Sequence, residues 1–248
     1  MSFPEKSDAM RVKRLSHIAL GVKDLHRQAE YYVDGCGLKT VEETAQHLYL
    51  RATGTHSHAV ELMGGEKGIH HVAFEVSDDP ALDRSAEILR KHGVSIVMGP
   101  ERAAEPGIGR LLRFRDPEGN MIELVSEVTG IPDGYEAGPV KALSLNYVIL
   151  YAGDLSKQEE FYARVLGMRV TDTVPELMTC LRCNPNHHSF GFIAFPRRGL
   201  QHAAFDVTLA VAAISVRWCS RSSFIFTKRV GGVLQTMNYG QYRQAALR

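Results

Sequence analysis

The stretches RLSHIALGVKDL at 14–25 and GIHHVAFEVSDD at 68–79 decide the fold, because they are one phrase written twice. The phrase returns as SLNYVILYAGDL at 144–155 and GLQHAAFDV at 199–207. The first three copies lead into a helix-like stretch and then a new strand, as in RQAEYYVDGCGLKTVEE (27–43) and KQEEFYARVLGMRVTDT (157–173). Such self-similarity marks a repeated supersecondary unit that cannot bury its apolar face alone. The repeat also sets His17 and His71 at matching places of two units, and Glu123 closes the second unit in DPEGNMIELVSEV (116–128). Two histidines and one carboxylate arriving from separate strands have the composition of a divalent-metal site.

Working outward, the alternating residues 14–22 predict a strand, and 24–35 carry helix formers with apolar residues near helical spacing. Asp24 is the expected cap, and Gly35 and Gly37 the expected stop. LYLRA and HAVELM read as two further strands, so the unit is β-α-β-β-β. It restarts at Gly68, with a strand at 69–76, a helix at 80–92, a turn at 93 and strands at 94–98, 110–115 and 120–126. DPEGN at 116–120 has the chemistry of a tight reversal between strands. A Gly- and Pro-rich linker is expected at 128–141, a third unit at 143–195 and the start of a fourth at 199.

The expected fold class is therefore α+β. Paired βαβββ modules form curved mixed sheets, with one module at 1–130 and a second, incomplete one at 138–248. Each sheet is half-buried under its helix, and two paired units leave a concave side free. Alternation places His17 with Leu15 and Ala19, and Glu123 with Met121 and Val125, on that concave side. His70 should face the other way and serve structure.

Composition narrows the classes. The apolar share of 44% and charged share of 23% are ordinary for a globular protein. A formal net charge of +1 gives no reason to expect nucleic acid or an anionic membrane as partner. The four cysteines have no regular spacing, which favours a reducing cytoplasm. No apolar run suggests a leader at the N-terminus or a membrane helix, so a cytoplasmic protein is expected.

The HxxL and HxAF strands with the DPxGNxIEL ending resemble the vicinal-oxygen-chelate superfamily, the group with the glyoxalase-like fold. FYARVLGMRV, LRCNPNHHSF and GLQHAAFDV are similar to the type I extradiol ring-cleavage dioxygenases, the catechol 2,3-dioxygenase and 2,3-dihydroxybiphenyl 1,2-dioxygenase group. The resemblance covers about 14–207. It implies metal ligands at His17, His71 and Glu123, with room for two vicinal substrate oxygens and dioxygen.

From Thr208 onward the character changes. Residues 208–248 hold no Asp or Glu, six Lys or Arg, and the only Trp, Trp218. The family would place a helix, then strands and a second DPxGN turn here; TLAVAAISVRW at 208–218 suits a strand or short helix, but the rest has no clean period and no such turn. The expectation is a module interrupted by a frameshift or truncation, with a divergent genuine terminus as the alternative. Sequencing the gene decides: no DPxGNxIE phrase in another frame just downstream counts against interruption.

In the second module Tyr147 stands where the first ligand should be, His202 keeps the second ligand position, and the third is lost with the tail. The resemblance puts the working metal of two-module dioxygenases in that module, which places activity itself in question. Cys180, Cys183, His187 and His188 are zinc-ligand types, but both cysteines lack counterparts in the aligned LRATGTHSHA at 50–59. The resemblance makes His188 an acid/base residue, with His58 or His56 its analogue in the first module. Glu61 matches a carboxylate that completes two-His, two-Glu sites in glyoxalases. Gly107-Ile108-Gly109 lies between strands and is no dinucleotide fingerprint.

The expected function is extradiol cleavage of a catechol by dioxygen at an Fe(II) or Mn(II) centre. The rivals are a glyoxalase-like lyase or isomerase and an inactive binding module. Open sheet surface in an incomplete second cup suggests a homo-oligomer.

Overall fold

The computed structural model describes residues 9–131 and 140–209 and the strands at 223–230 and 233–237. The N-terminal eight residues, most of the expected linker (132–139), Trp218 and Cys219 lie outside the described residues.

The first half builds one eight-stranded sheet. In chain order its elements are β1 (Arg14–Val22), α1 (Leu25–Cys36), β2 (Lys39–Glu43), β3 (His47–Arg51), β4 (Val60–Gly64), β5 (Gly68–Glu75), α2 (Asp79–Lys91), β6 (Ile96–Arg102), β7 (Arg110–Arg115) and β8 (Met121–Ser126). The spatial order is β2-β3-β4-β1-β5-β8-β7-β6. Each βαβββ unit closes by parallel pairing of its first and last strands, β1 with β4 and β5 with β8. Antiparallel pairing of β1 with β5 joins the two units. The two strands bearing the phrase thus lie side by side at the centre of the sheet.

Local chemistry sets the helix ends. The Asp24 side chain accepts from the Arg27 N–H, and Asp78 does the same for Ala81. Gly35 does not stop α1 as expected. The helix runs through it to Cys36, and Gly37 ends it at φ 67°, a left-handed conformation that costs glycine nothing.

The second half repeats the plan in a seven-stranded sheet: β9 (Val140–Ala152), α3 (Leu155–Arg164), β10 (Arg169–Val174), β11 (Met178–Arg182), β12 (Phe190–Ala194), β13 (Gly199–Leu209), β14 (Ser223–Val230) and β15 (Val233–Met237). Its order is β10-β11-β12-β9-β13-β14-β15. The expectation of no clean period after 218 is corrected here. β14 pairs in parallel with β13, and β15 turns back against β14. An open sheet edge is a template for any segment with alternating β-branched and aromatic residues, and SFIFTKRV is one.

One continuous apolar core spans both halves, with Phe74 edge-on to Phe190 at 5.3 Å. The DPEGN reversal also helps dock the halves. Buried Asp116 accepts from Asn120 within the turn, and from Gln158 Nε2 at 2.7 Å and Tyr162 Oη at 3.2 Å on α3. A buried carboxylate supplied with this many donors is held without an unpaired charge.

Alternation holds on β8, where Ile122 and Leu124 join the main core while Val125 belongs to a separate cluster with Ile108 and Leu111. It breaks on β1. A register irregularity between Leu15 and His17 lets Leu15 join the main core with Ile18, so Leu15 does not share the face of His17 as expected.

Candidate metal centre

β1, β5 and β8 are successive neighbours in the sheet, and they deliver His17, His71 and Glu123 to one point. The Nε2 atoms of His17 and His71 are 3.2 Å apart. Glu123 Oε1 lies 3.4 Å from His17 Nε2 and 3.8 Å from His71 Nε2. Donor atoms about 2.1 Å from one divalent ion, at angles of about 90–110°, stand roughly 3.0–3.4 Å apart. All three side chains are buried, and Glu123 Oε1 has no hydrogen-bond partner. A buried carboxylate oxygen left bare is costly unless something cationic fills the gap.

A fourth group joins them that the sequence reading missed. Glu105, between β6 and β7, reaches within 3.2 Å of His17 Nε2 through Oε2. One donor atom each from His17, His71, Glu105 and Glu123 fits within a mutual 4.8 Å. The only sequence signal was the turn chemistry of Glu105-Pro106-Gly107. Arg113 on β7 ties the two carboxylates together. Its Nε donates to Glu123 Oε2 at 2.5 Å and its Nη2 to Glu105 Oε1 at 2.6 Å, leaving the other oxygen of each for the centre.

The surroundings orient the rings. Ser16 Oγ is 3.1 Å from His17 Nδ1, and His70 Nδ1 is 2.9 Å from His71 Nδ1. His70 is exposed, and its ring contacts that of His71. Such outer contacts select the tautomer that presents Nε2. Glu61 does not point away. It is buried, His47 Nδ1 contacts its Oε1 at 2.6 Å, and its Oε2 lies 3.9 Å from His71 Nε2.

The structure selects His58 over His56 as the counterpart of His188. Ile18 N–H bonds to Ala59 O as Val148 N–H bonds to Ser189 O, so the two histidines precede equivalent residues. His58 lies 4.2 Å from the His17 ring, and His188 lies 4.2 Å from the Tyr147 ring.

Charge follows from these contacts. Burial opposes protonation of His17, but Glu105, Glu123 and Glu61 outweigh it and raise its pKa above the ordinary histidine value. Burial, with His17 and Arg113 nearby, holds His71 well below that value. Burial takes His58 down to about 3. Glu123 is pushed up to about 7 by burial and by Glu105. Burial opposes ionisation of Glu105, yet the His17 ring beside it draws its pKa down. A cation entering the cluster would compete with protons for His17 and Glu123.

The second half repeats the geometry without the ligands. Tyr147 and His202 stand edge-on at 5.3 Å, as His17 and His71 do at 5.3 Å. The register pairs Ala204 with Ile225 where Ala73 pairs with Glu123. Among the described residues no group of three ligand side chains gathers at His202 or at Cys180 and Cys183.

A fold of paired βαβββ units with a two-histidine, carboxylate cluster on its central strands defines a class of metal-site proteins. The family is explicit: residues 14–124 and 144–226 match the model of the glyoxalase/bleomycin resistance protein/dioxygenase superfamily, and the chain belongs to it. It is 24% identical over 203 residues to a 3-methylcatechol 2,3-dioxygenase of Pseudomonas putida, covering 75% of this chain and 70% of that one. It is 27% identical over 231 residues to a metapyrocatechase of a Pseudomonas species, covering 83% and 75%. The Mn(II)-bound glyoxalase of Novosphingobium aromaticivorans matches with a TM-score of 0.74 at 28% identity, over 79% of this chain and 66% of that one.

Proposed function

We propose that the chain is a divalent-metal enzyme acting on substrates with two adjacent oxygens. The reading favoured is extradiol cleavage of a catechol by dioxygen. His17, His71 and Glu123 hold Fe(II), or Mn(II), in the first half, while His202 stands in a second site that has lost its partners. The observation that carries this is the bare, buried Glu123 Oε1 facing two Nε2 atoms. A divalent ion there supplies Lewis acidity to a chelating diol and, as iron, access to dioxygen. The relatives named for catechol oxidation support the substrate class.

The chain's own residues supply the rest. Arg113 fixes Glu123 so that one oxygen points inward. His58 is buried and bare at Nε2 beside His17, which places it to accept a proton from a substrate hydroxyl, although burial makes it a weak base until a bound ligand alters its surroundings. His188 holds the same place beside Tyr147, as the remnant of an acid/base residue in the second half. Within the same proposal the protein works in the cytoplasm, consistent with free Cys36, Cys180 and Cys183, and self-associates through the edge near Val170 and Val174.

The test is anaerobic Fe(II) loading followed by catechol-dependent oxygen uptake. Iron that binds but supports no uptake across several catechols sinks the dioxygenase reading. The second reading is a glyoxalase-like isomerase, favoured by the extra carboxylates Glu61 and Glu105 at the cluster. Hemithioacetal turnover without oxygen uptake would establish it.

A further inference from the structure

We propose that Glu105 is a fourth protein ligand, making this a two-histidine, two-carboxylate centre of His17, His71, Glu105 and Glu123. The inference rests on the metal reading above and specifies the ligand set.

Glu105 is buried, and its Oε2 has no hydrogen-bond partner although His17 Nε2 is 3.2 Å away. Its other oxygen is tied down by Arg113. The same arrangement holds Glu123, whose Oε2 is on Arg113 and whose Oε1 is bare. The two carboxylates are thus presented alike, one oxygen anchored and one offered. Glu61 is presented in the same way, with Oε1 on His47 and Oε2 bare, but it stands farther off and falls outside the set of donor atoms that share a 4.8 Å neighbourhood.

The segment carrying Glu105 is built to hold it there. Ile108 N–H closes a turn onto Glu105 O at 3.3 Å, with Pro106 and Gly107 at the two central positions and Gly107 at φ +73°. This is the residue order of a type II turn. Thr129 N–H bonds to Gly107 O at 2.8 Å, and a Cβ on Gly107 would come within 2.4 Å of the Ser57 Cβ. The turn therefore packs against the segment that carries His58.

Four protein ligands neutralise a divalent ion and leave two positions of an octahedron. Two adjacent positions match one chelating substrate, so dioxygen chemistry at the ion would require Glu105 to leave it, whereas Lewis-acid chemistry would not.

The test uses the full chain loaded with Mn(II) alone. Broadening of the Mn(II) electron paramagnetic resonance lines in ¹⁷O-water counts bound waters. Two waters in the unaltered protein, three in Glu105→Ala, and at least about tenfold weaker Mn(II) binding in that variant are expected. Three waters in the unaltered protein overturn the inference even if the variant does not fold. An unchanged water count in a folded Glu105→Ala overturns it too. If the unaltered protein takes up no Mn(II), or His17→Ala takes it up equally well, the metal reading itself fails and this inference falls with it.

Discussion

His17 and His71 sit on neighbouring antiparallel strands with their Nε2 atoms 3.2 Å apart, both fully buried. Without a metal the two nitrogens can share one proton as a hydrogen bond, and a divalent cation would take the place of that proton between them. The relationship follows from the pairing of β1 with β5, in which His71 lies opposite Ala19 and His17 opposite Ala73. The small partners leave both rings room to lean together.

Metal uptake should therefore depend on either ring. We expect about one divalent ion per chain, and near-complete loss in His71→Ala, by equilibrium dialysis with Mn(II). Tyr147→His should add no second ion, because Ile225 occupies the register position of the third ligand. Two ions per chain in that variant would contradict the reading of the second half.

Arg113 pairs with two buried carboxylates at once. Arg113→Met removes the donor they share, and a loss of about 3 kcal/mol is expected in urea unfolding of the metal-free protein. Mn(II) should restore part of that loss. A variant as stable as its parent would show that the pair contributes nothing.

Mn(II) affinity should rise with pH. His17 is raised and Glu123 lies at about 7, so both still hold protons in the acidic range that the metal must displace. His71 and His58 are lowered and stay neutral, so they add no slope. Each displaced proton weakens binding about tenfold per pH unit below its pKa. Titrations should therefore show a loss of about tenfold or more from pH 7 to pH 6. A flat profile there would argue against Glu123 and His17 as the titrating ligands.

His58→Gln should leave Mn(II) binding unchanged while lowering turnover by about 10²–10⁴, the range of a lost acid/base group. His188→Gln should leave turnover intact, since among the described residues no ligand set gathers beside it. Equal losses in both variants would exclude the assignment.

Gly107→Ala should lower stability by about 1–3 kcal/mol, because φ +73° and the approach to Ser57 both exclude a Cβ. Its thermal unfolding, measured with and without Mn(II), should also show a smaller metal-induced gain than the parent protein. A full gain would mean that the turn does not position the centre.

Much of this architecture was legible in the sequence because it rests on short-range physics. Period-two strands, Asp24 as a cap and the DPEGN reversal each depend on residues within a few positions of one another. His17, His71 and Glu123 were legible because the repeat put them at equivalent places. The strands at 223–230 and 233–237 were not expected, since their pairing depends on the open edge of β13, which lies outside their own stretch of sequence.

The sequence by itself determined the repeated unit, the family and three members of the cluster. Only the tertiary structure decided that Glu105 joins them, that Arg113 aims both carboxylates, and that His58 rather than His56 stands beside His17. These three belong to a turn, a neighbouring strand and a loop. Their separation in the chain carries no period, and they meet because the sheet register and the Gly107 turn fix distances of a few ångströms between distant residues.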